Sequence, residues 1–377
     1  MNTLKTISYG MVGCGMMGQE HLRNIALLPA SRIAAIFEPD AAMRAECQKL
    51  APDAQFVSSL ADLLAISDLN ALVVTSPNHC HADQILTMTQ QTQLPILLEK
   101  PVATNLAQVN ALRQVAANHA APIWTAMEYR YMPPITALVN AAHAASDTGA
   151  VKMLTIREHR YPFLNKVGDW NRFNLNTGGT LVEKCCHFFD LMRLILQEDP
   201  IRLYASGAAD VNHLDERYEG QTPDILDNAY VILDFASGKR AMLELCMFAE
   251  GGRYQEVVTV VGAQGKLECL VPGPTRFWPA ELGDPPVAQL IVSPRDAMQH
   301  GAPRSANIPV DAALLQAGDH NGSTFYQHQK FAAVVRGEGS VEVSLNDGLK
   351  AVVIGLAAEY SAKHGVAVDL RGGDYAL

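Results

Sequence analysis

Over its first third the chain alternates short apolar runs with helix-length segments, and this rhythm restricts the fold more than any other feature. Residues 7–12, 33–37, 69–74, 95–98 and 122–125 are strand-like, and 17–28, 41–50, 82–89 and 106–118 read as the helices between them. Strands separated by helices of this length imply βαβ crossovers and a doubly wound parallel sheet. After Met127 the rhythm changes. Segments 151–161, 202–209, 228–235, 240–248, 256–262 and 266–271 follow one another as strands, with glycine-containing turns at 235–239 and 262–265. Strands without intervening helices predict a largely antiparallel sheet. Helical patterns cover 180–196, 325–336 and 345–363, and 273–317 reads as a loop-rich excursion. The expected architecture is an α/β domain over residues 1–126 followed by an α+β domain over 127–377, built on an open, mostly antiparallel sheet.

The length, 377 residues, fits two domains, and 49% hydrophobic against 18% charged residues supplies apolar material for both cores. Lysine and arginine number 29 against 39 acidic residues, a net charge of −10, which argues against binding a nucleic-acid backbone. No run of about 18 apolar residues predicts a membrane span, and the first residues do not read as a signal peptide. Seven scattered cysteines, with the vicinal Cys185-Cys186 and no C-x-x-C, suggest neither a disulfide framework nor a zinc site, and a reducing cytoplasm is the expected compartment. The histidines lack metal-ligand spacing, so no metal is expected.

Gly13-Cys14-Gly15-Met16-Met17-Gly18 fits G-x-G-x-x-G directly after an apolar strand and at the start of an amphipathic helix. The first glycine permits a tight turn, the second admits a pyrophosphate to the backbone, and the third lets helix and strand pack closely. Free N–H groups of that helix start hold the anion, so an acidic chain can bind it. Met16 and Met17 belong to the same turn. Glu38 stands 20 residues beyond Gly18, just after the second strand; a carboxylate there accepts from a ribose diol and repels a 2′-phosphate. NAD is the expected cofactor, with Arg44 nearby leaving NADP open. The domain is therefore expected to be a Rossmann-type dinucleotide fold. Ser76, Pro77, Asn78 and His81 follow the fourth strand and Glu99 and Lys100 the fifth, where a doubly wound sheet presents its ligand crevice.

Glu183, His187 and Asp190 are spaced i, i+4 and i+7, within about 60° of one helix face. A carboxylate one turn before a histidine can fix its tautomer and raise its basicity; either Glu183 or Asp190 suits that role. Lys100, at the end of a buried strand, can donate to a substrate hydroxyl or a cofactor ribose. Arg157, His159 and Tyr161 alternate on one strand face, and Trp170, Asn171 and Arg172 precede the Gly178-Gly179 turn. With His320, these are candidates for holding a polar substrate.

Gly13–Gly18, Pro77-Asn78-His79-Cys80-His81, Glu99-Lys100-Pro101, Gly178-Gly179 with Glu183 and His187, Asp227-Asn228-Ala229-Tyr230, and the tail with Phe325-Tyr326-Gln327-His328 together resemble the glucose–fructose oxidoreductase/inositol dehydrogenase/rhizopine catabolism (Gfo/Idh/MocA) family over nearly the whole length. The resemblance implies a NAD(P)-dependent dehydrogenase or reductase acting on sugars, cyclitols or related polyols, with Lys100 and His187 as its active-site lysine and catalytic histidine. Glu183 stands where the family usually has aspartate. It also implies that the second domain's sheet carries substrate and subunit contacts, in a homodimer or homotetramer. Two other readings are a NAD-dependent glycoside-cleaving enzyme of the same fold and a non-catalytic dinucleotide sensor.

Overall fold

The computed structural model describes residues 4–377. The first sheet is parallel, in the order β3-β2-β1-β4-β5-β6. Its strands are β1 (Ile7–Val12), β2 (Ser31–Phe37), β3 (Gln55–Val57), β4 (Ala71–Val74), β5 (Ile96–Glu99) and β6 (Ile123–Ala126). Between them run α1 (Met16–Ala26), α2 (Ala41–Leu50), α3 (Leu60–Leu64), α4 (His81–Gln91) and α5 (Leu106–Asn118). Strands β1, β4, β5 and β6 are buried along their whole length. Helices cover both faces of such a sheet, which is why these strands read as unbroken apolar runs. Strand order reverses between β1 and β4, and the crevice there opens at the strand C-termini.

The second unit begins with α6 (Pro133–Ala144) and β7 (Val151–His159). Short helices α7 (Asn174–Thr177) and α8 (Thr180–Glu183) lead into α9 (Cys186–Leu196), followed by β8 (Pro200–Ala208), β9 (Asn228–Phe235), β10 (Arg240–Cys246), β11 (Glu256–Gly262), β12 (Gly265–Val271) and β13 (Gln289–Pro294). Then come α10 (Ala297–His300), β14 (Arg304–Asn307), α11 (Ala312–Ala317), α12 (Ser323–Arg336), α13 (Leu345–His364) and β15 (Val368–Asp369). The sheet order is β14-β13-β12-β11-β7-β10-β9-β8-β15, antiparallel except for the β7–β10 pair. Burial alternates along β9, β10 and β12, so one face packs on helices and the other is open.

The predicted helix over 180–196 is broken. Cys185 N reaches back to Thr180 O at 3.4 Å, a widened turn, and Phe188 N then bonds Cys185 O at 2.9 Å, a tightened one. The 273–317 excursion contains β13 and the edge strand β14, both too little buried to show an apolar alternation. Cysteine spacing also missed a pairing: α2 packs against the glycine turn, and Cys14 and Cys47 are joined as a disulfide in the core beside β1.

The carboxy-terminal helices return to the first unit. Thr125 N donates to Val343 O at 2.9 Å, beside the bridge between Trp124 and Ser344. Helix α13, capped by Ser344 and Asp347, packs against β8, α5, α8 and α9. Gly355 lets it approach α8: a Cβ there would meet Leu181 O at 2.6 Å. Gly179, at φ +98°, is pressed against the Glu359 carboxylate, whose Oε1 accepts from Leu181 N at 2.8 Å. We expect Gly179→Ala to combine this clash with left-handed strain and to lower stability by about 2 kcal/mol or more. Urea denaturation measures it, and an unchanged midpoint would contradict this packing.

Candidate active site

Two cavities meet at the C-terminal ends of the first sheet. One, of about 590 Å³, is lined by the glycine turn, Glu38, Ser76, Pro77, Asn78, His81 and Trp170. The other, of about 810 Å³, is lined by Arg160, Tyr161, Lys184, His187 and His320 among others. Met16, Met17, Lys100, Lys166 and Glu183 line both.

The first cavity fits a dinucleotide. Gly13 has φ +82°, and a Cβ there would meet Ser76 N at 2.6 Å. A Cβ on Gly18 would meet Thr75 Oγ1 at 2.8 Å, whereas nothing stands within 4 Å of one on Gly15. The outer glycines thus let helix and strands close up, and the middle one leaves the backbone open to a pyrophosphate. The Glu38 carboxylate is buried at this turn, accepting from Cys14 N at 2.6 Å and Asp40 N at 2.8 Å. Arg44 is turned onto the Glu38 carbonyl, with Nη2 donating at 2.9 Å. His81 bridges Pro101 O and Ser76 O at 2.8 and 2.9 Å, tying the ends of β4 and β5 together. The Lys100–Pro101 peptide bond is cis. Glu99 sits behind Lys100: Oε1 pairs with His21 Nε2 at 2.9 Å, and His21 Nδ1 meets His328 Nε2 at 2.6 Å.

At the junction, Lys100 Nζ donates to Glu183 O at 3.1 Å. Burial opposes its charge, but the acidic groups around it, Cys186, Glu128, Glu99 and Glu183, outweigh burial and raise its pKa. His187 is buried and stacks on Tyr129, with centroids 4.3 Å apart and an interplanar angle of 9°. Burial and the cations Lys100, Lys184, His320 and Arg160 hold its pKa well below the ordinary histidine value. Its imidazole is neutral at pH 7. The carboxylate facing it is Glu128, with Oε1 3.5 Å from Nε2. Both Glu128 oxygens lack a hydrogen-bond partner, and burial with the nearby Glu99 charge pushes its pKa up to about 7. Glu128 was not singled out in the sequence: it lies in a short turn just beyond β6, outside any recognisable motif, and only its position after the last parallel strand could have pointed to it.

Several expected placements are corrected. Because the helix is interrupted, Glu183 does not face the His187 ring; it lies among Lys166, Lys100, Arg160 and Arg172, and burial raises its pKa. Asp190 is engaged by Arg130 through both oxygens, so it does not orient His187 either. Arg157 and His159 project to the sheet face away from the cavity, His159 Nε2 pairing with Glu244 Oε1 at 3.0 Å. The cavity is reached instead by Arg160 and Tyr161, just past the end of β7. Asn171 and Arg172 are buried braces: Asn171 Nδ2 donates to Leu164 O at 3.0 Å, and Arg172 holds Glu216 at 2.9 Å. Trp170 lines the dinucleotide cavity, edge-on to His79. His320 does line the larger cavity.

Residues 7–127 match the oxidoreductase family's NAD-binding Rossmann fold, and residues 146–370 match its C-terminal alpha/beta domain. Inositol 2-dehydrogenase of Rhizobium meliloti (strain 1021) is 27% identical over 261 residues, 69% of this chain and 74% of that protein. Levoglucosan dehydrogenase, solved in complex with NADH and levoglucosan, superposes with a TM-score of 0.79 at 18% identity, over 97% of this chain and 99% of that one. Myo-inositol dehydrogenase from Corynebacterium glutamicum ATCC 13032 gives a TM-score of 0.75 at 20% identity, over 98% and 100% of the two chains. Fold and glycine turn define an oxidoreductase with an NAD-binding Rossmann domain. The chain belongs to the Gfo/Idh/MocA oxidoreductase family.

The cavity wall contains an ion pair with its own pH signature. Glu20 Oε1 and His320 Nδ1 are 2.9 Å apart. Burial opposes both charges, but each partner overrides it: Glu20 is held down to about 2 and His320 raised to about 9. The stability Glu20 contributes is complete above its ordinary 4.5 and lost as pH falls toward 2; that of His320 is complete below 6.5 and lost as pH rises through 9. We expect His320→Gln to cost about 2 kcal/mol near pH 5–6 and progressively less as pH approaches 9. Thermal denaturation across pH checks this; a deficit that grows with pH would contradict it.

Proposed function

We propose that the protein oxidises a secondary alcohol of a sugar, cyclitol or related polyol to its ketone, or runs the reverse reaction, with residues 1–126 holding NAD and residues 127–377 shaping the substrate cavity. One observation carries the reading: Lys100 lines both cavities at their junction, and His187 lines the larger one beside it. NAD, when bound, supplies the hydride acceptor. Gly13, Gly15, Met16 and Met17 would receive its pyrophosphate, with Gly18 letting the helix pack closely behind them, Glu38 would hold its adenosine ribose, and Ser76, Pro77, Asn78, His81, Glu99 and Lys100 would flank the rest.

Oxidation of a carbinol requires removal of its hydroxyl proton, and a neutral imidazole is the group able to take it at pH 7. The proton ends on His187, whose Nε2 faces Glu128 Oε1 at 3.5 Å, so an ionised Glu128 stabilises the imidazolium. Lys100 remains charged and donates to the same substrate oxygen, stabilising the developing alkoxide. The Glu183 carbonyl holds the lysine in place, and Glu183 acts on the catalytic pair through Lys100 rather than through the imidazole.

The open sheet face, with Met153, Tyr204, Tyr230 and Ile232 exposed by 44% to 54%, supports a homodimer or homotetramer. Five free cysteines, three of them buried and unpaired, support a cytoplasmic location.

We expect His187→Ala and Lys100→Ala each to lower kcat by about 10² or more, with NAD affinity changing less in the former; near-full kcat in His187→Ala would remove it as the base. A polyol panel read at 340 nm tests the activity. Turnover that releases an aglycone without accumulating NADH would favour glycoside cleavage instead. Because Glu128 titrates near 7, kcat/KM should rise through neutrality as it ionises, and Glu128→Gln should abolish that rise. Glu38→Ser should narrow the preference for NAD over NADP, and an unmodified enzyme preferring NADP would shift attention to Arg44.

A further inference from the structure

The larger cavity has the opposite charge balance to the chain around it. Acidic residues outnumber basic ones 39 to 29 overall, yet this cavity is lined by six lysine and arginine side chains against three carboxylates. Two of those carboxylates are already engaged, Glu20 by His320 at 2.9 Å and Asp319 by Arg276 at 2.6 Å. Lys184 is neutralised from behind by Glu158 at 2.8 Å. Glu183 is left as the free carboxylate facing Lys100, Lys166 and Arg160.

Two of these cations are open toward the cavity. Lys166 has no ion pair and no hydrogen bond from Nζ among the described residues; its Nζ lies 5.8 Å from the centre of the Trp170 ring. The Arg160 side chain is 11% exposed, and its Nη1 is 3.9 Å from the Glu158 oxygen that Lys184 already holds. Arg160 Nε donates to Tyr161 O at 3.1 Å, and its guanidinium carbon lies 4.5 Å from the centre of the Tyr161 ring. A guanidinium flanked by an aromatic ring and open at one edge presents a rigid fork that matches a carboxylate or phosphate. Cations withdrawn from water without a counter-charge are costly, and a cleft lined by one sign of charge concentrates ligands of the other.

We propose that the substrate is an anionic polyol, a sugar acid or a sugar phosphate, whose anionic group is held by Arg160 and Lys166 while the reacting hydroxyl lies between His187 and Lys100. This rests on the dehydrogenase reading above. The anion completes the charge balance of the cavity, which a neutral hexose or cyclitol does not.

Calorimetric titration of the NADH-loaded protein with a matched panel tests it: hexuronates and aldonates, hexose phosphates, and the corresponding neutral hexoses with myo-inositol. At least one anionic compound should bind ten times more tightly than its neutral counterpart, with the gap closing as salt is raised. Preference for the carboxylate identifies a sugar acid and preference for the ester a sugar phosphate. Arg160→Gln should reduce the gap about tenfold while NADH affinity, followed by nicotinamide fluorescence, stays unchanged, and Arg160→Lys should restore part of it. Lys166→Gln should also narrow the gap, read as sugar affinity at saturating NADH because Lys166 lines the dinucleotide cavity as well, and serves if the Arg160 variants do not fold. If no anionic compound binds more tightly than its neutral counterpart, the proposal is overturned. Selective binding of an anionic compound without NADH production from NAD would sustain the charge assignment and contradict the dehydrogenase reading. Neutral polyols oxidised with kcat/KM equal to the anionic ones would do the reverse.

Discussion

Burial of ionisable groups at the junction of two cavities is the constraint around which the site is arranged. Lys100, Glu128, Glu183 and His187 are all withdrawn from water there. Desolvation alone would neutralise each of them. The outcome differs group by group because their neighbours differ. Lys100 keeps its charge because carboxylates surround it. His187 loses its charge because burial and the cations around it act in the same direction. Glu128 is left near its midpoint at neutral pH. One lysine that stays charged and one histidine that stays neutral, lining the same cavity, is the division that the proposed alcohol oxidation needs.

The fold delivers these groups from separate parts of the chain. Lys100 directly follows β5 of the parallel sheet, Glu128 follows the last strand of that sheet, and His187 lies in the first turn of α9 after the interrupted turn. Tyr129 is stacked on His187, and its hydroxyl accepts from Lys184, so the ring clamps the imidazole from the side of the second sheet. Behind Lys100, the buried Glu99–His21–His328 chain fixes the end of β5 against α1 and α12. The return of α13 across both units holds α8, and with it the carbonyl that receives Lys100, against the first sheet.

Elements with a strong local period were legible in the sequence. The bounds of β1, α2, α5, β9 and β11 fall where apolar runs or alternation predict them. The glycine turn and Glu38 were legible because their chemistry is local, a turn and a carboxylate at fixed spacing. What could not be read was set by contacts between distant segments. The break at Lys184–Cys185 depends on Lys184 being drawn to Glu158 and Tyr129, and helical spacing alone placed Glu183 one turn below His187. Period two put Arg157, His159 and Tyr161 on one face; it holds for Arg157 and His159, whose face looks away from the cavity, but β7 ends at His159 and Tyr161 turns into the cavity. Glu128 belongs to no motif, and the Cys14–Cys47 pair depends on α2 folding back over the phosphate turn.

The central claim is that His187 is neutral, and so able to accept a proton, in the folded protein at physiological pH. Nitrogen-15 chemical shifts of the histidine rings, recorded across pH 5 to 9 and assigned by difference from His187→Gln, test it directly. A neutral His187 ring persisting at pH 6.5 and below, well under the ordinary midpoint of histidine, is the predicted result. An imidazolium signal for His187 at pH 7 would contradict the account and remove His187 as the proposed proton acceptor.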